Sequence, residues 1–422
     1  MHRMNRIESH PFARRPLLRI AQACLLFGAC TVIQLAVLGA ARADEAAPPV
    51  APPPVVEPAA TPATLPHPAA VPVAPAAAPS ATPPASPAVP EWVRNVSIGG
   101  GGILWYYQPF LEGAKNTVDL FFVNLLFDGQ FDSFGLHIEP RFRDAKLRPH
   151  FGGQNGGTAW VQEVYASVKL PFEETLGGST VLKVGKAYSH FGLFWDNSFY
   201  GNVQVYDGLK LDPDFGLSLE GAVAEAGSRG LRYWAQFFLI DGQTNVALDG
   251  RETFTIPGAR RRNQAILRLE PFAQFGDAVV KLGLSGTVLQ ADLPDPVGKK
   301  TVVRGGADLT FKLKGLGLWA EFIRQNGQSV TAFPAVDAAS SHNNYAQLGG
   351  EYTVGTLTAR YNVSYGGYRD LSVSEWMHVP AVGVAVSPHI TILGEYVYWK
   401  RTAAAGDTVL DKSLNVTLQA HY

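Results

Sequence analysis

The sequence predicts an all-β fold: a transmembrane antiparallel β-barrel of sixteen strands, with short turns at one end and long loops at the other. Three observations carry that prediction, namely period-two alternation of apolar and hydrophilic residues, a rhythm of short and long connections, and a last strand ending on an aromatic ring. In the final segment Leu414, Val416, Leu418, Ala420 and Tyr422 share one strand face, and Asn415, Thr417, Gln419 and His421 share the other. A membrane-barrel strand of about 10 residues faces lipid with every second side chain and places aromatic rings where hydrocarbon meets water.

The same alternation recurs upstream. Leu357, Ala359, Tyr361, Val363 and Tyr365 interleave with Thr358, Arg360, Asn362 and Ser364. Ala307, Leu309, Phe311 and Leu313 interleave with Asp308, Thr310 and Lys312, and Leu136, Ile138 and Phe142 with His137, Glu139 and Arg141. Strand starts fall near 93, 119, 134, 159, 179, 216, 231, 263, 278, 303, 317, 344, 356, 377, 389 and 412. The count is sixteen, with fourteen or eighteen left open by the blurred Gly99 to Gly102 run and the region 188 to 215. Short turns include 129 to 133, 275 to 277, 314 to 317, 354 to 355 and 387 to 389; long loops include 145 to 158, 241 to 262, 291 to 302, 326 to 343 and 401 to 411. Membrane barrels built of hairpins show this asymmetry because periplasmic turns are short and outer loops long. Trp105, Tyr106, Tyr345, Tyr352, Tyr396, Tyr398, Trp399 and Tyr422 lie near strand ends and are expected in the interfacial girdles. A soluble barrel with charges outside is the competing reading of the alternation, and the export signal, girdle positions and turn rhythm weigh against it.

Composition agrees with a barrel. The chain has 422 residues, 46% hydrophobic, 17% charged and 11% aromatic, with a formal net charge of -1, which argues against a polyelectrolyte or a basic nucleic-acid binder. Residues 1 to 43 read as an export signal: Arg3, Arg6, Arg14, Arg15 and Arg19 precede an apolar stretch from Ile20 to Ala40, and Ala41-Arg42-Ala43 offers a small-residue cleavage site. Arg14-Arg15-Pro16-Leu17-Leu18 resembles a twin-arginine signal, although a barrel must cross the inner membrane unfolded. Both cysteines, Cys24 and Cys30, fall inside this leader, so a mature chain has no thiol chemistry. Residues 44 to 91 hold more than half of the 30 prolines amid Ala, Val and Thr, and predict a stiff, extended periplasmic tether. Residues 92 to 422 are the expected barrel domain.

At this point the chain resembles the outer-membrane porins, through its leader, its sixteen amphipathic strands and its terminal Tyr422. Val161-Gln162-Glu163-Val164-Tyr165-Ala166 followed by Leu182-Lys183-Val184-Gly185-Lys186 is also similar to the early-strand pattern of the phosphate-selective porins, whose Pro-Phe-Gly continuation is here His190-Phe191-Gly192. The resemblance implies a water-filled channel in the outer membrane of a Gram-negative bacterium. It implies passive diffusion of small hydrophilic solutes or anions, contact with membrane lipid and lipopolysaccharide, and a homotrimer. It also implies that the third outer loop, 188 to 215, folds inward, with Asp196, Asn197, Tyr200, Gln204, Tyr206, Asp207 and Lys210, and beyond them Asp212 and Asp214, supplying a constriction.

The alternation itself puts Arg141, Arg143, Lys169, Lys183, Arg268, Lys281, Arg304, Lys312 and Arg360 on the pore wall, alongside Glu163, Glu270 and Asp308. Cations outnumber anions in that set, so a modest preference for anions is expected; that they are phosphate-like is what the resemblance implies. The runs Arg260-Arg261-Arg262 and Lys299-Lys300 are expected in long loops, where they could meet lipopolysaccharide phosphates. No metal-ligand spacing, nucleophile elbow, phosphate-binding loop or dinucleotide fingerprint is present, so neither a cofactor nor an enzymatic role is expected. The alternative to a channel is a non-conducting barrel that serves as an adhesin or envelope anchor.

Overall fold

A computed structural model describes residues 95–143, 159–171, 178–193, 198–206, 213–223, 228–240, 259–328 and 340–422. The expected leader and tether lie outside the described residues. Sixteen strands run in chain order: β1 Val96–Pro109, β2 Thr117–Phe131, β3 Phe134–Phe142, β4 Ala159–Leu170, β5 Thr180–Tyr188, β6 Pro213–Val223, β7 Arg229–Ile240 and β8 Arg260–Phe275. They continue as β9 Ala278–Asp292, β10 Lys299–Leu313, β11 Leu316–Asn326, β12 His342–Val354, β13 Leu357–Tyr368, β14 Val373–Ser387, β15 Ile390–Ala403 and β16 Gly406–His421. Among the described residues a helical turn, α1 Val203–Tyr206, lies between β5 and β6, and a 3-10 turn, Arg369–Leu371, follows β13.

Each strand pairs antiparallel with its chain neighbours, and β1 pairs with β16 to close the sheet. Closure matters because hydrocarbon supplies no water to bond a free strand edge. The seam runs from Gly101 opposite His421 to Pro109 opposite Ser413, and Gly100 and Tyr422 exchange backbone hydrogen bonds at its end. The Gly99 to Gly102 run therefore lies at the closing strand, where a β-carbon on Gly100 would meet the Asn124 carbonyl at 2.5 Å.

The predicted alternation sets the two faces. Leu284, Leu309, Leu318, Phe322, Leu348, Tyr361, Val382 and Leu418 are exposed on the outside, while Asp308, Glu321, Gln347, Asn362, Ser364, Asn415 and Thr417 are buried inside. Three aromatic residues expected in the girdles are instead inward: Trp105, Tyr345 and Trp399 are almost completely buried. Trp105 and Trp399 donate their indole N–H to Asn415 and Glu375 across the lumen face, which explains the inward choice. Tyr106, Tyr352, Tyr396 and Tyr422 keep to the outer surface, Tyr422 at 68% exposure.

Two loops are shorter than the sequence suggests. β15 and β16 run on to a tight hairpin between Ala403 and Gly406, so 401 to 411 is mostly strand, and β9 and β10 leave only 293–298 between them. Polar residues such as Asp407 and Thr408 read as loop, yet Lys400 meets Asp407 at 2.5 Å and Thr402 donates to it, pairing the strands beyond the apolar belt.

At the long-loop end Asp370 accepts the Ser341 N–H at 2.7 Å and faces His342 Nδ1 at 2.9 Å. Desolvation pushes the Asp370 carboxyl up, but the Ser341 N–H and His342 outweigh it and hold it below its ordinary value. A folded pKa below the unfolded one ties this turn together above the ordinary carboxylate range, and the tie is lost as pH falls through the folded pKa. The Ser341 amide NMR shift should accordingly titrate with a midpoint below the ordinary Asp value of about 3.9; a midpoint at or above that value contradicts the pairing. On the outer face, Leu284→Arg at the centre of β9 should lower unfolding stability in lipid by about 2–4 kcal/mol, measured by denaturant titration. An unchanged midpoint would mean that this face does not meet hydrocarbon.

Candidate functional site

Between Tyr188 and Pro213 the described residues, 189–193 and 198–206, turn into the barrel instead of leaving it. They are held by side chains from strand after strand. His190 N–H donates to Gln236 of β7 at 2.7 Å, Gly192 N–H to Ser285 of β9 at 3.0 Å, and Leu193 N–H to Glu321 of β11 at 2.6 Å. Farther along, the Phe199 and Tyr200 N–H groups bond the two oxygens of Glu395 of β15 at 2.9 and 2.8 Å. The Tyr200 hydroxyl donates to Asp411 of β16, Asn202 to Gln347 of β12 at 3.0 Å, and Val203 N–H to Ser364 of β13 at 3.1 Å. A loop buried this way must find partners for its backbone donors, and inward-facing side chains supply them.

Apolar packing completes the attachment. Phe191 and Val203 from the loop pack with Phe238, Ile266, Ile323, Tyr345, Tyr368, Met377, Val379, Val397 and Trp399 from the wall. Strict alternation does not anticipate this: the inner wall near the long-loop end is apolar on one side because the loop covers it. Phe199 packs on Trp105 and Phe121 with ring centroids 5.4 and 5.0 Å apart. At Gly366 a β-carbon would sit 2.8 Å from Val203, so the wall has no side chain where α1 presses closest.

Of the expected constriction residues, Asp196, Asn197, Asp207, Lys210 and Asp212 lie outside the described residues. Tyr200 is half-buried and bonded to Asp411. Gln204 is fully buried where α1 packs on β13 and β14, so it fills the loop-to-wall contact. Tyr206 ends α1. Asp214 belongs to β6, not the loop, and its carboxylate is 3.6 Å from Arg261.

The expected wall cations face the interior, and carboxylates answer most of them. Arg268 meets Asp308 at 2.5 Å and Glu270 at 2.9 Å, and Lys281 is 3.8 Å from Glu270. Gly283 makes room for this group, since a β-carbon there would collide with Asp308. Arg141 meets Glu139 at 2.6 Å, Lys183 meets Glu220 at 2.8 Å, and Arg360 meets Glu351 at 3.2 Å. Arg304 donates to Gln325 at 2.7 Å, and Arg143 stacks over Trp160. Lys169 and Lys312 are exposed toward the short-turn end, sharing the inner face with Ser167 and Asp308 respectively.

Besides Glu139, the carboxylates Asp119, Glu321, Glu375, Glu395 and Asp411 are buried in the wall, beyond the set expected there. They offset the cation excess in the expected set. The signal that finds them is the same alternation: Glu321 stands between Ala320 and Phe322, and Glu395 between Gly394 and Tyr396. The arginine run is corrected too, for it opens β8: Arg261 turns inward and is buried, while exposed Arg262 pairs with Asp292 at 2.9 Å. Lys299 and Lys300 likewise begin β10.

No family model matches this sequence, and no curated protein matches it. Solved structures do resemble its fold. The outer membrane channel DcaP of Acinetobacter baumannii has a TM-score of 0.51 at 13% identity, covering 78% of this chain and 97% of its own. A loop L8 deletion mutant of OmpT, an outer membrane protein of Vibrio cholerae, has a TM-score of 0.50 at 14% identity, covering 78% of this chain and 100% of its own. At such identity the likeness is one of fold. The chain has the sixteen-strand outer-membrane barrel fold.

Hydrogen bonds to a charged acceptor contribute about 1.5–3 kcal/mol each, so Glu395 is a main anchor of the inward loop. In Glu395→Ala, the Phe199 and Tyr200 amides should exchange with solvent at least tenfold faster in a refolded barrel. Unchanged protection would show that the apolar cluster alone holds the loop.

Proposed function

We propose that this barrel is a porin: a water-filled channel through which small hydrophilic solutes diffuse passively across the outer membrane. The observation that carries the reading is the closed sheet whose outer face is apolar and whose inner face holds Arg268, Asp308, Glu321, Asn362 and Thr417. A sheet of sixteen strands is too wide for side chains to fill, leaving an aqueous lumen. The fold likeness to DcaP, which is described as an outer membrane channel, supports the same reading. No step of chemistry is needed for diffusion, and the role is non-enzymatic.

The inward loop sets the pore size. Its attachment to β7, β9, β11, β12, β13, β15 and β16 fills part of the lumen, so solutes pass through the space it leaves. Because Arg141, Lys183, Arg268 and Arg360 are each neutralised by a carboxylate, selectivity for phosphate-like anions is weak in this reading. Reconstituted in a planar bilayer, the protein should pass a steady open-channel current, with a reversal potential near zero in a salt gradient. Deleting 198–206 should raise the conductance. A barrel that folds, as shown by its gel shift when unboiled, but stays silent would contradict the channel and favour an adhesin or anchor.

A further inference from the structure

Away from the loop, toward the short-turn end, β2, β3 and β4 bring together a histidine and three carboxylates on the inner wall. The register sets Asp128 opposite His137 and Glu139 opposite Glu163. His137 Nδ1 lies 2.6 Å from Asp128 Oδ1, and its ring stacks on Tyr165 with centroids 4.9 Å apart. That leaves Nε2, which is buried without a hydrogen-bond partner and has Glu163 Oε2 at 4.0 Å.

The two glutamates are fixed in the same manner. Glu139 Oε1 accepts Arg141 Nε at 2.6 Å and Asn124 Nδ2 at 3.1 Å, and Glu163 Oε1 accepts the Tyr188 N–H at 3.2 Å. Each side chain is thus held through one atom and presents another to a shared point. One donor atom from each of His137, Glu139 and Glu163 lies within 4.8 Å of the other two. Three carboxylates face one guanidinium here, because Lys183 is engaged by Glu220 at 2.8 Å. The surplus is negative and matches a divalent cation. A cavity of about 680 Å³, lined by Asp128, His137, Tyr165 and Lys183, gives access.

We propose that His137, Glu139 and Glu163 bind a divalent transition cation of the zinc class, with Asp128 as the residue that orients the imidazole. A carboxylate on one ring nitrogen fixes the tautomer that leaves the other nitrogen free as a ligand. One imidazole and two carboxylates, with a fourth position left for water, form a ligand set that zinc accepts. The imidazole selects against magnesium and calcium, which take oxygen ligands. Metal bonds of about 2.0–2.2 Å place ligand atoms roughly 3.3–3.6 Å apart. Rotation of the two glutamate side chains supplies the remaining closure. The ion would tie β3 to β4 and neutralise the two glutamates on the lumen wall, a property separate from solute diffusion.

The test uses the full chain refolded in detergent, without a histidine tag, dialysed against zinc chloride and analysed for bound metal. The expected result is one saturable equivalent that His137→Ala and Glu163→Gln each remove or weaken at least tenfold. Asp128→Asn should weaken it by about 10–100-fold, and excess calcium should not displace it. Variant folding is checked by the gel shift of unboiled protein. If His137→Ala fails to fold, zinc-edge X-ray absorption of the parent protein decides, and a spectrum without imidazole nitrogen overturns the site. The proposal is also overturned by the absence of a saturable equivalent, by equal binding in the folded variants, or by displacement with calcium. A His137 that titrates as a protonated ion-pair partner while taking up no zinc overturns it as well.

Discussion

Every feature of this molecule follows from one constraint: backbone N–H and C=O groups surrounded by hydrocarbon have only each other to bond. A sheet meets that requirement only by closing, and the pairing of β1 with β16 is where this chain does so. The carboxy-terminal strand is therefore a structural necessity rather than a tail. Its outer residues Leu414, Val416 and Leu418 face outward while Asn415 and Thr417 are buried among inner-wall partners. Closure then forces the second consequence, because strands with a period of two must present their other set of side chains to an enclosed interior.

That interior is not uniform. Its outer end on one side is apolar, where Ile323, Tyr345, Met377, Val397 and Trp399 receive the inward loop, and elsewhere it is polar and largely ion-paired. The difference has a simple origin. A loop folded into the lumen needs apolar contact to offset its ordering entropy, and acceptors such as Glu321, Ser364 and Glu395 for its backbone donors. Buried charges elsewhere on the wall need partners of opposite sign for the same reason that unpaired ones are costly. The Arg268–Asp308 pair and the Glu139–Arg141 pair meet that need within single stretches of wall. The His137 cluster departs from the pattern, since its carboxylates outnumber the local cations.

The barrel was legible in the sequence because its rule is local. Alternation in Leu357 to Tyr365 or Ala307 to Leu313 needs no knowledge of distant residues, and the strand starts fall within four positions of those expected, save β16, which begins six earlier. What the sequence could not show depends on contacts across the lumen. Trp399 reads as a girdle ring until Glu375 is seen beside its indole N–H and the loop is seen packed in the same cluster. Asp407 and Thr408 look like loop residues because β16 extends beyond the apolar belt. The ion pairs were hidden likewise, for Arg268 and Asp308 are forty positions apart and meet only across three strands.

The central claim is orientation: apolar side chains toward lipid, polar ones toward enclosed water. The most direct measurement is a cysteine scan along β13 in a chain whose own two cysteines, Cys24 and Cys30, are replaced. Cysteine introduced at Thr358 and Arg360 should react with a charged, membrane-impermeant thiol reagent in the reconstituted barrel, and cysteine at Ala359 and Tyr361 should react only with a lipid-soluble one. Reversal of that pattern, or equal reaction at all four positions, would contradict the account.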